Sequence, residues 1–286
     1  MHPIKIERLK EQPMYRLIAS DMDETFLGEG HRVPPANLEA LARMREMGVL
    51  FVPSSGRPYS SIMDSLSDID PALLQGSYVI SYNGGFINRY GDDRPLLRTV
   101  MDRASLEQLY RYAVAHRICM HVYTESGRIF TQFLNELERG YIANLAGIEE
   151  LGDDQDALAM AGDEEFPKII FMDPDFDAVK RLGERLRPSL DPELVDITHS
   201  SNRYVEFVPH GVNKGTGLAH LAAMLGIDMA ETVGVGDSAN DLAMIQAAGL
   251  GVGVANASDD IRPACDLILD ATADDGAFPE LLRRIS

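Results

Sequence analysis

Tyr15-Arg16-Leu17-Ile18-Ala19-Ser20-Asp21-Met22-Asp23-Glu24-Thr25 is the stretch on which the fold turns. Its first six residues are short and mostly apolar, and they run into an acid. That is the pattern of a buried parallel strand whose carboxyl end is Asp21. Downstream, Leu38, Leu41, Ala42 and Met44 recur at helical spacing after Pro34-Pro35 and before Gly48. This predicts a helix over about 35–47, ended by the glycine. Val49-Leu50-Phe51-Val52-Pro53 predicts a second buried strand. A helix from Pro58 and a strand at Tyr78-Val79-Ile80-Ser81 complete a β-α-β-α-β series, which implies a parallel sheet with helices on both faces.

The C-terminal part has the same style. A helix over 213–225 precedes a strand at Thr232-Val233-Gly234-Val235, and a helix over 239–247 precedes Leu250-Gly251-Val252-Gly253. A short helix near 258–264 precedes Leu267-Ile268-Leu269. The middle differs, mixing helices with strands such as Ile118–Tyr123 and Lys168–Phe171. It also carries an acidic stretch from Glu149 to Glu165 that reads as exposed loop and helix face. The expected class is therefore α/β, a Rossmann-like parallel-sheet core with an inserted α/β unit. Residues 1–90 and 201–286 would form the core, and 91–200 the insert, since insertion at a loop is tolerated. Residues 1–14 read as an extra strand or a disordered leader.

The 286 residues suffice for one large domain or two modest ones. Hydrophobic residues at 45 % and charged residues at 25 % are ordinary for a soluble protein. No apolar run approaches a membrane span, and Met1–Glu7 lacks a signal-peptide pattern. The two cysteines, Cys119 and Cys265, lie in no Cys-x-x-Cys or Cys/His cluster. The expectation is a cytoplasmic protein with no membrane partner. A net charge of −19 argues against a nucleic-acid partner, which needs clustered Lys and Arg. It does not exclude a small anion held by a metal and a few local cations.

Ligands of open α/β sheets bind beyond the carboxyl ends of the strands. Four sites stand at such positions: Asp21–Thr25, Ser54-Ser55-Gly56-Arg57-Pro58, Gly211-Val212-Asn213-Lys214-Gly215, and Gly236-Asp237-Ser238-Ala239-Asn240-Asp241. Each alone has a plain reading, as a turn, a helix start, a solvated lysine or a capped loop. Together their chemistry is consistent. Asp21 and Asp237 are hard oxygen ligands suited to Mg2+. Asp21 can also attack phosphorus in line, giving an aspartyl-phosphate. Asp23 can protonate the leaving oxygen and later deprotonate a water. Ser55 offers a hydroxyl, and the Ser55–Gly56 backbone offers N–H groups. Lys214 supplies positive charge beside the nucleophile. Asp241 completes or orients the metal shell, and Asn240 can donate to phosphate or substrate. Arg57 and Tyr59 begin a helix at the same crevice and rank above His116 and His121 as substrate contacts.

These residues resemble the four motifs of the haloacid-dehalogenase-like (HAD) superfamily. Within it, the chain is similar to the Cof-type sugar-phosphate phosphatases, which carry a large α/β cap between the second and third motifs. Asn83-Gly84-Gly85, Tyr204-Val205-Glu206-Phe207 and Asn256-Ala257 add to the likeness, which covers the chain from residue 15. The resemblance implies hydrolysis of a small phosphate monoester, a magnesium ion, and a cap that selects substrate. It implies metal ligation by Asp21, the Asp23 backbone carbonyl and Asp237. It implies phosphate contacts from the Met22 backbone, Ser55, Gly56, Lys214 and Asn240. One departure is Glu24, where the family usually has glycine. Ser55 also stands for the commoner threonine, keeping the hydroxyl.

Three other functions fit some of the same residues. A phosphotransferase or mutase would use the same aspartyl-phosphate. A non-catalytic metal- and phosphate-binding regulator would resemble a receiver domain, although receivers are shorter and lack an inserted cap. A catalytically dead relative would be expected to lack motif side chains, and all four sets are present. The expected assembly is a monomer or small homo-oligomer.

Overall fold

A computed structural model of the chain describes residues 15–143 and 145–285. The expectations for residues 1–14 lie outside this range. No helix among the described residues is long and apolar enough to cross a membrane.

The chain divides into two compact units. The first runs up to Ser54 and continues through Leu66–Val79 and from Lys214 onward. It holds a five-stranded parallel sheet in the order Leu267–Ile268, Leu250–Gly253, Thr232–Gly236, Leu17–Ser20, Leu50–Pro53. Leu17, Ile18 and Ala19 have no exposed surface, as expected for a central strand covered on both faces. The helix Pro35–Glu46 starts with proline in its first turn, where no N–H partner is lost. It buries Asn37, Ala40, Leu41 and Met44, one helical face. Gly48 leaves the helix at φ +74°. Phe26, Phe51 and Phe278 form a ring cluster, with centroids 4.3, 5.1 and 5.7 Å apart. This cluster seats the segment after Thr25 on the Leu50–Pro53 strand and the helix Ala277–Ile285.

The sheet also depends on where side chains are missing. A Cβ at Gly236 would overlap the Asp241 side chain, and one at Gly251 would overlap the Ile245 carbonyl. These glycines let the Leu242–Ala247 helix and the turn before it lie close against the strands. The helix expected over 239–247 is divided, with a 3-10 turn at Ala239–Asp241 and the α-helix only from Leu242. The short helix near 258–264 is likewise a 3-10 turn, Arg262–Ala264.

The second unit comprises Ser55–Ser65 and Ile80–Asn213. Its six-stranded sheet has the order Val195–Ser200, Tyr204–Pro209, Lys168–Met172, Cys119–Tyr123, Ile129–Gln132, Ile148–Glu150. All neighbours are antiparallel except the last pair. Alternate residues face opposite ways. Met120, Val122, Ile169, Phe171, Val205 and Phe207 form one core with the helices Arg103–His116 and Phe176–Leu186. The alternate set includes His121, Lys168 and Glu206, all buried. His121 Nε2 lies 3.0 Å from Glu138, and Lys168 Nζ lies 2.8 Å from Glu206.

Two expectations are corrected. The insert does not end at residue 200: Tyr204–Pro209 is hydrogen-bonded between Lys168–Met172 and Val195–Ser200, and the second unit continues to Asn213. Tyr78–Ser81 is a strand but stands outside the five-stranded sheet. It belongs to a three-stranded sheet with Phe86–Arg89 and Pro95–Arg98. The Ser77 hydroxyl donates to the Phe51 carbonyl, and Ser55 N donates to Ile80 O at 2.9 Å. The acidic stretch 149–165 keeps its acidic side chains exposed or half-exposed, in line with the expected loop and helix face, while Ala157, Leu158 and Ala161 of its short helix are buried.

Candidate active site

Asp21 is the first residue beyond the Leu17–Ser20 strand, and its N–H donates to Val235 O at 2.9 Å. The chain then turns at once. Phe26 N and Leu27 N both donate to Met22 O, at 3.0 and 2.8 Å. The turn requires a left-handed residue, and Glu24 supplies it at φ +57°. Such a backbone favours glycine, which explains the family's usual residue there. The Glu24 side chain is exposed. Its carbonyl accepts from Asn256 Nδ2 at 2.9 Å, which ties the loop to the segment after Leu250–Gly253.

Lys214 opens the helix Lys214–Leu225, and its side chain is fully buried. Its ammonium donates to Asp21 Oδ1 and, at 2.6 Å, to Asp241 Oδ1. Burial opposes its charge, but Asp21 and Asp241 outweigh that and hold its pKa above the ordinary lysine value. Asp21 is raised well above the usual carboxylate value, chiefly by burial and then by Asp241 and Asp237, with Lys214 pulling the other way. Asp237 is raised to about 6, first by burial and then by Asp241.

Asp241 also shapes the loop. Its Oδ2 accepts from Asp237 N at 3.0 Å and from Ser238 N at 3.1 Å. The absent side chain at Gly236 leaves the room this needs. One carboxylate oxygen from each of Asp21, Asp237 and Asp241 lies within 4.8 Å of the others. Three buried or half-buried carboxylates sharing one lysine form a hard, oxygen-rich donor set with excess negative charge. That fits a divalent cation such as magnesium.

The structure thus brings Asp21, Lys214, Asp237 and Asp241 together in the first unit. The Asp23 side chain is not part of this carboxylate cluster; its Oδ1 lies 2.8 Å from His31 Nδ1. Its expected place in the metal set was through the backbone carbonyl, which this does not alter. Asn240 Oδ1 accepts from Ser238 Oγ at 2.8 Å, and Met22 has no exposed surface. Ser55, Gly56 and Arg57 belong to the second unit. There Ser55 Oγ accepts from Arg57 N at 3.2 Å, and Arg57 Nη1 donates to Ser65 Oγ at 3.0 Å. Ser55 O accepts from Asn83 N at 2.9 Å, so Asn83 of the sequence likeness has a structural partner. His116 stacks on Tyr112, with centroids 4.1 Å apart, and His121 is enclosed against Glu138.

Two residues have places at the site that the sequence did not point to. The Thr25 hydroxyl, with no exposed surface, donates to Asp237 Oδ1 at 2.9 Å. His31 meets Asp23. A signal for Thr25 was present in its position two residues after Asp23, but nothing in the spacing names Asp237 as its partner.

Comparison with known proteins gives a family and relatives. A family profile described as haloacid dehalogenase-like hydrolase matches residues 18–281. The chain is 33 % identical over 248 residues to an HMP-PP phosphatase of Serratia proteamaculans, covering 85 % of each protein. It is 28 % identical over 271 residues to the 5-amino-6-(5-phospho-D-ribitylamino)uracil phosphatase YcsE of Bacillus subtilis, covering 93 % of this chain and 94 % of that one. Among solved structures, a haloacid dehalogenase-like hydrolase from Bacteroides thetaiotaomicron superimposes with a TM-score of 0.80 at 26 % identity. That match covers 95 % of this chain and 100 % of the other.

Proposed function

Since the chain belongs to the haloacid dehalogenase-like hydrolases and is a Cof-type phosphatase, a phosphoric monoester hydrolase, we propose that it cleaves small phosphorylated metabolites through an aspartyl-phosphate on Asp21. The observation that carries this reading is the buried Asp21–Lys214–Asp241 constellation beyond the ends of the central strands, with Asp237 beside it.

In the proposed reaction the Asp21 carboxylate attacks phosphorus in line. The P–O bond to the leaving alcohol breaks as the bond to Asp21 forms, and Asp23 gives its proton to the departing oxygen. Asp23, now a carboxylate, takes a proton from water as that water attacks the aspartyl-phosphate. Inorganic phosphate leaves and the Asp21 carboxylate is restored. Lys214, which holds its proton, offsets negative charge at Asp21 as the phosphoryl group approaches. Asp21, Asp237 and the Asp23 carbonyl are the ligands assigned to magnesium, with Asp241 orienting the loop through its two N–H contacts. When bound, the ion would supply counter-charge to the carboxylates and phosphoryl oxygens. On sequence grounds the Met22 and Gly56 N–H groups, the Ser55 hydroxyl and Asn240 are assigned to phosphate oxygens, and Arg57 to the rest of the substrate. The relatives named above act, by their names, on two different phosphorylated metabolites, which supports a small phosphate ester here without choosing one.

The test is phosphate release from p-nitrophenyl phosphate and from a panel of sugar, polyol, nucleotide and cofactor phosphates, with and without Mg2+. Asp21→Asn should leave a folded protein with turnover reduced by more than about a thousandfold. Activity retained in that variant would sink the reading. Recovery of a phosphate isomer in place of inorganic phosphate would convert it to a mutase.

A further inference from the structure

We propose that His31 is a positioning residue that holds the carboxyl group of Asp23 in place for proton transfer. This rests on the reading of Asp23 as the acid/base group. His31 Nδ1 lies 2.8 Å from Asp23 Oδ1, although the two side chains are 75 % and 40 % exposed. An exposed pair of freely rotating side chains contributes little. Here the backbone fixes one member.

His31 sits at φ +56°, a left-handed conformation uncommon for a residue with a side chain, directly after Gly30 at φ +71°. The turn closes on itself, with Gly28 N donating to Arg32 O at 2.8 Å and His31 N donating to Gly28 O at 3.2 Å. It is also pinned from outside. The Glu29 N–H faces both carboxylate oxygens of Asp274, at 3.2 and 3.1 Å. That carboxylate fills the space a side chain at Gly28 would need. Strained residues of this kind persist where their surroundings over-determine them. The turn presents the imidazole to Asp23 across eight residues of chain.

The chemistry explains why an anchor is useful. A carboxyl group that gives a proton in one half-reaction and takes one in the next works best with one oxygen fixed and the other carrying the proton. The Nδ1–H tautomer of imidazole can donate to Oδ1 whether Asp23 is acid or carboxylate, which assigns the proton to Oδ2 in both half-reactions.

Leaving-group dependence separates this role from a structural one. His31→Gly removes the side chain while accommodating the left-handed backbone. His31→Asn keeps an N–H donor near the Nδ1 position and tolerates the same backbone. His31→Ala is a second removal should the glycine variant fail to fold. For each, kcat/KM is measured with p-nitrophenyl phosphate, whose leaving group departs without a proton, and with glycerol 2-phosphate, whose alkoxide needs one. Removing the side chain should lower kcat/KM roughly tenfold on the alkyl ester and less than about twofold on the aryl ester, and Asn should restore most of the loss. An equal loss on both esters, or none on either, overturns the proposal. Asp23→Asn is assayed alongside. If it too fails to depress the alkyl ester selectively, the reading of Asp23 falls and takes the proposal with it. If Asp23→Asn is selective and the His31 removals are not, only the role of His31 falls.

Discussion

The Thr25 hydroxyl reaches Asp237 from a side chain with no exposed surface, so its hydrogen bond meets no competition from water. Losing it would leave the carboxylate charged but less well aimed. Thr25→Val keeps the shape and removes the donor. Outer partners of metal ligands typically contribute 10–100-fold to affinity or activity, so the magnesium concentration for half-maximal activity should rise by about tenfold. An unchanged activation curve would show that Thr25 is only packing. At this scale the sequence was legible where position alone implied chemistry. Asp21 and Asp237 follow buried strands, and Lys214 starts a helix, so strand-end logic found them. Thr25 was not assigned because its partner is 212 positions away. His31 is not legible in the sequence, because its approach to Asp23 depends on a left-handed turn that no periodic pattern announces.

Among the elements, the adjoining strands Lys168–Met172 and Tyr204–Pro209 carry an ion pair that is nearly sealed from solvent, with side chains 7 % and 6 % exposed. Lys168 also lies over the Tyr123 ring at 4.7 Å, and the Ser200 hydroxyl donates to Glu206. Burial raises the Glu206 pKa, but Lys168 and Ser200 outweigh it and leave the pKa below the usual value. Removing one partner of such a pair strands a buried charge, whereas removing both does not. Lys168→Met should therefore cost about 3–5 kcal/mol of stability, and Lys168→Met with Glu206→Leu much less. Urea unfolding of both variants decides it, and equal losses would contradict the argument. The two strands also show where element reading stops. An apolar run marks Tyr78–Ser81 as a strand but carries no information on which neighbour it will pair with, and it joined a separate sheet. Tyr204-Val205-Glu206-Phe207 is legible as a segment before Lys214, but the membership of Tyr204–Pro209 in the six-stranded sheet comes from long-range pairing.

For the molecule as a whole the net charge is −19, and a small part of that excess sits at one buried place, where Asp21, Asp237 and Asp241 surround a lysine that pairs with two of them. Without metal, Asp237 has a pKa of about 6 against an ordinary 3.8, and Asp21 is raised too. A group whose folded pKa is raised binds its proton more tightly in the folded state. Its contribution to stability is fully present below the ordinary value and is lost as pH rises through the folded value. For Asp237 the window is about pH 4–6. Under the proposed function magnesium would supply counter-charge once the protons have gone, so its stabilising effect should grow over the same window. The rise in Tm on adding excess Mg2+ to chelator-treated protein should be several degrees larger at pH 7.5 than at pH 5. An equal rise at both values would refute the linkage. Composition indicated an acidic protein with few cysteines. That charge would meet at one point became visible only through the ordered spacing of the four motifs, because composition has no geometry.

At Glu24 the loop keeps a left-handed backbone without a glycine. The loop passes on a dihedral angle, not a letter: it needs a residue near φ +57°, and a solvent-facing glutamate can take that seat at the expense of some local strain. A spelling rule that insists on glycine after the second aspartate would pass over this chain. A rule written in backbone conformation, with the Asn256 tether to the Glu24 carbonyl as its second clause, would retain it.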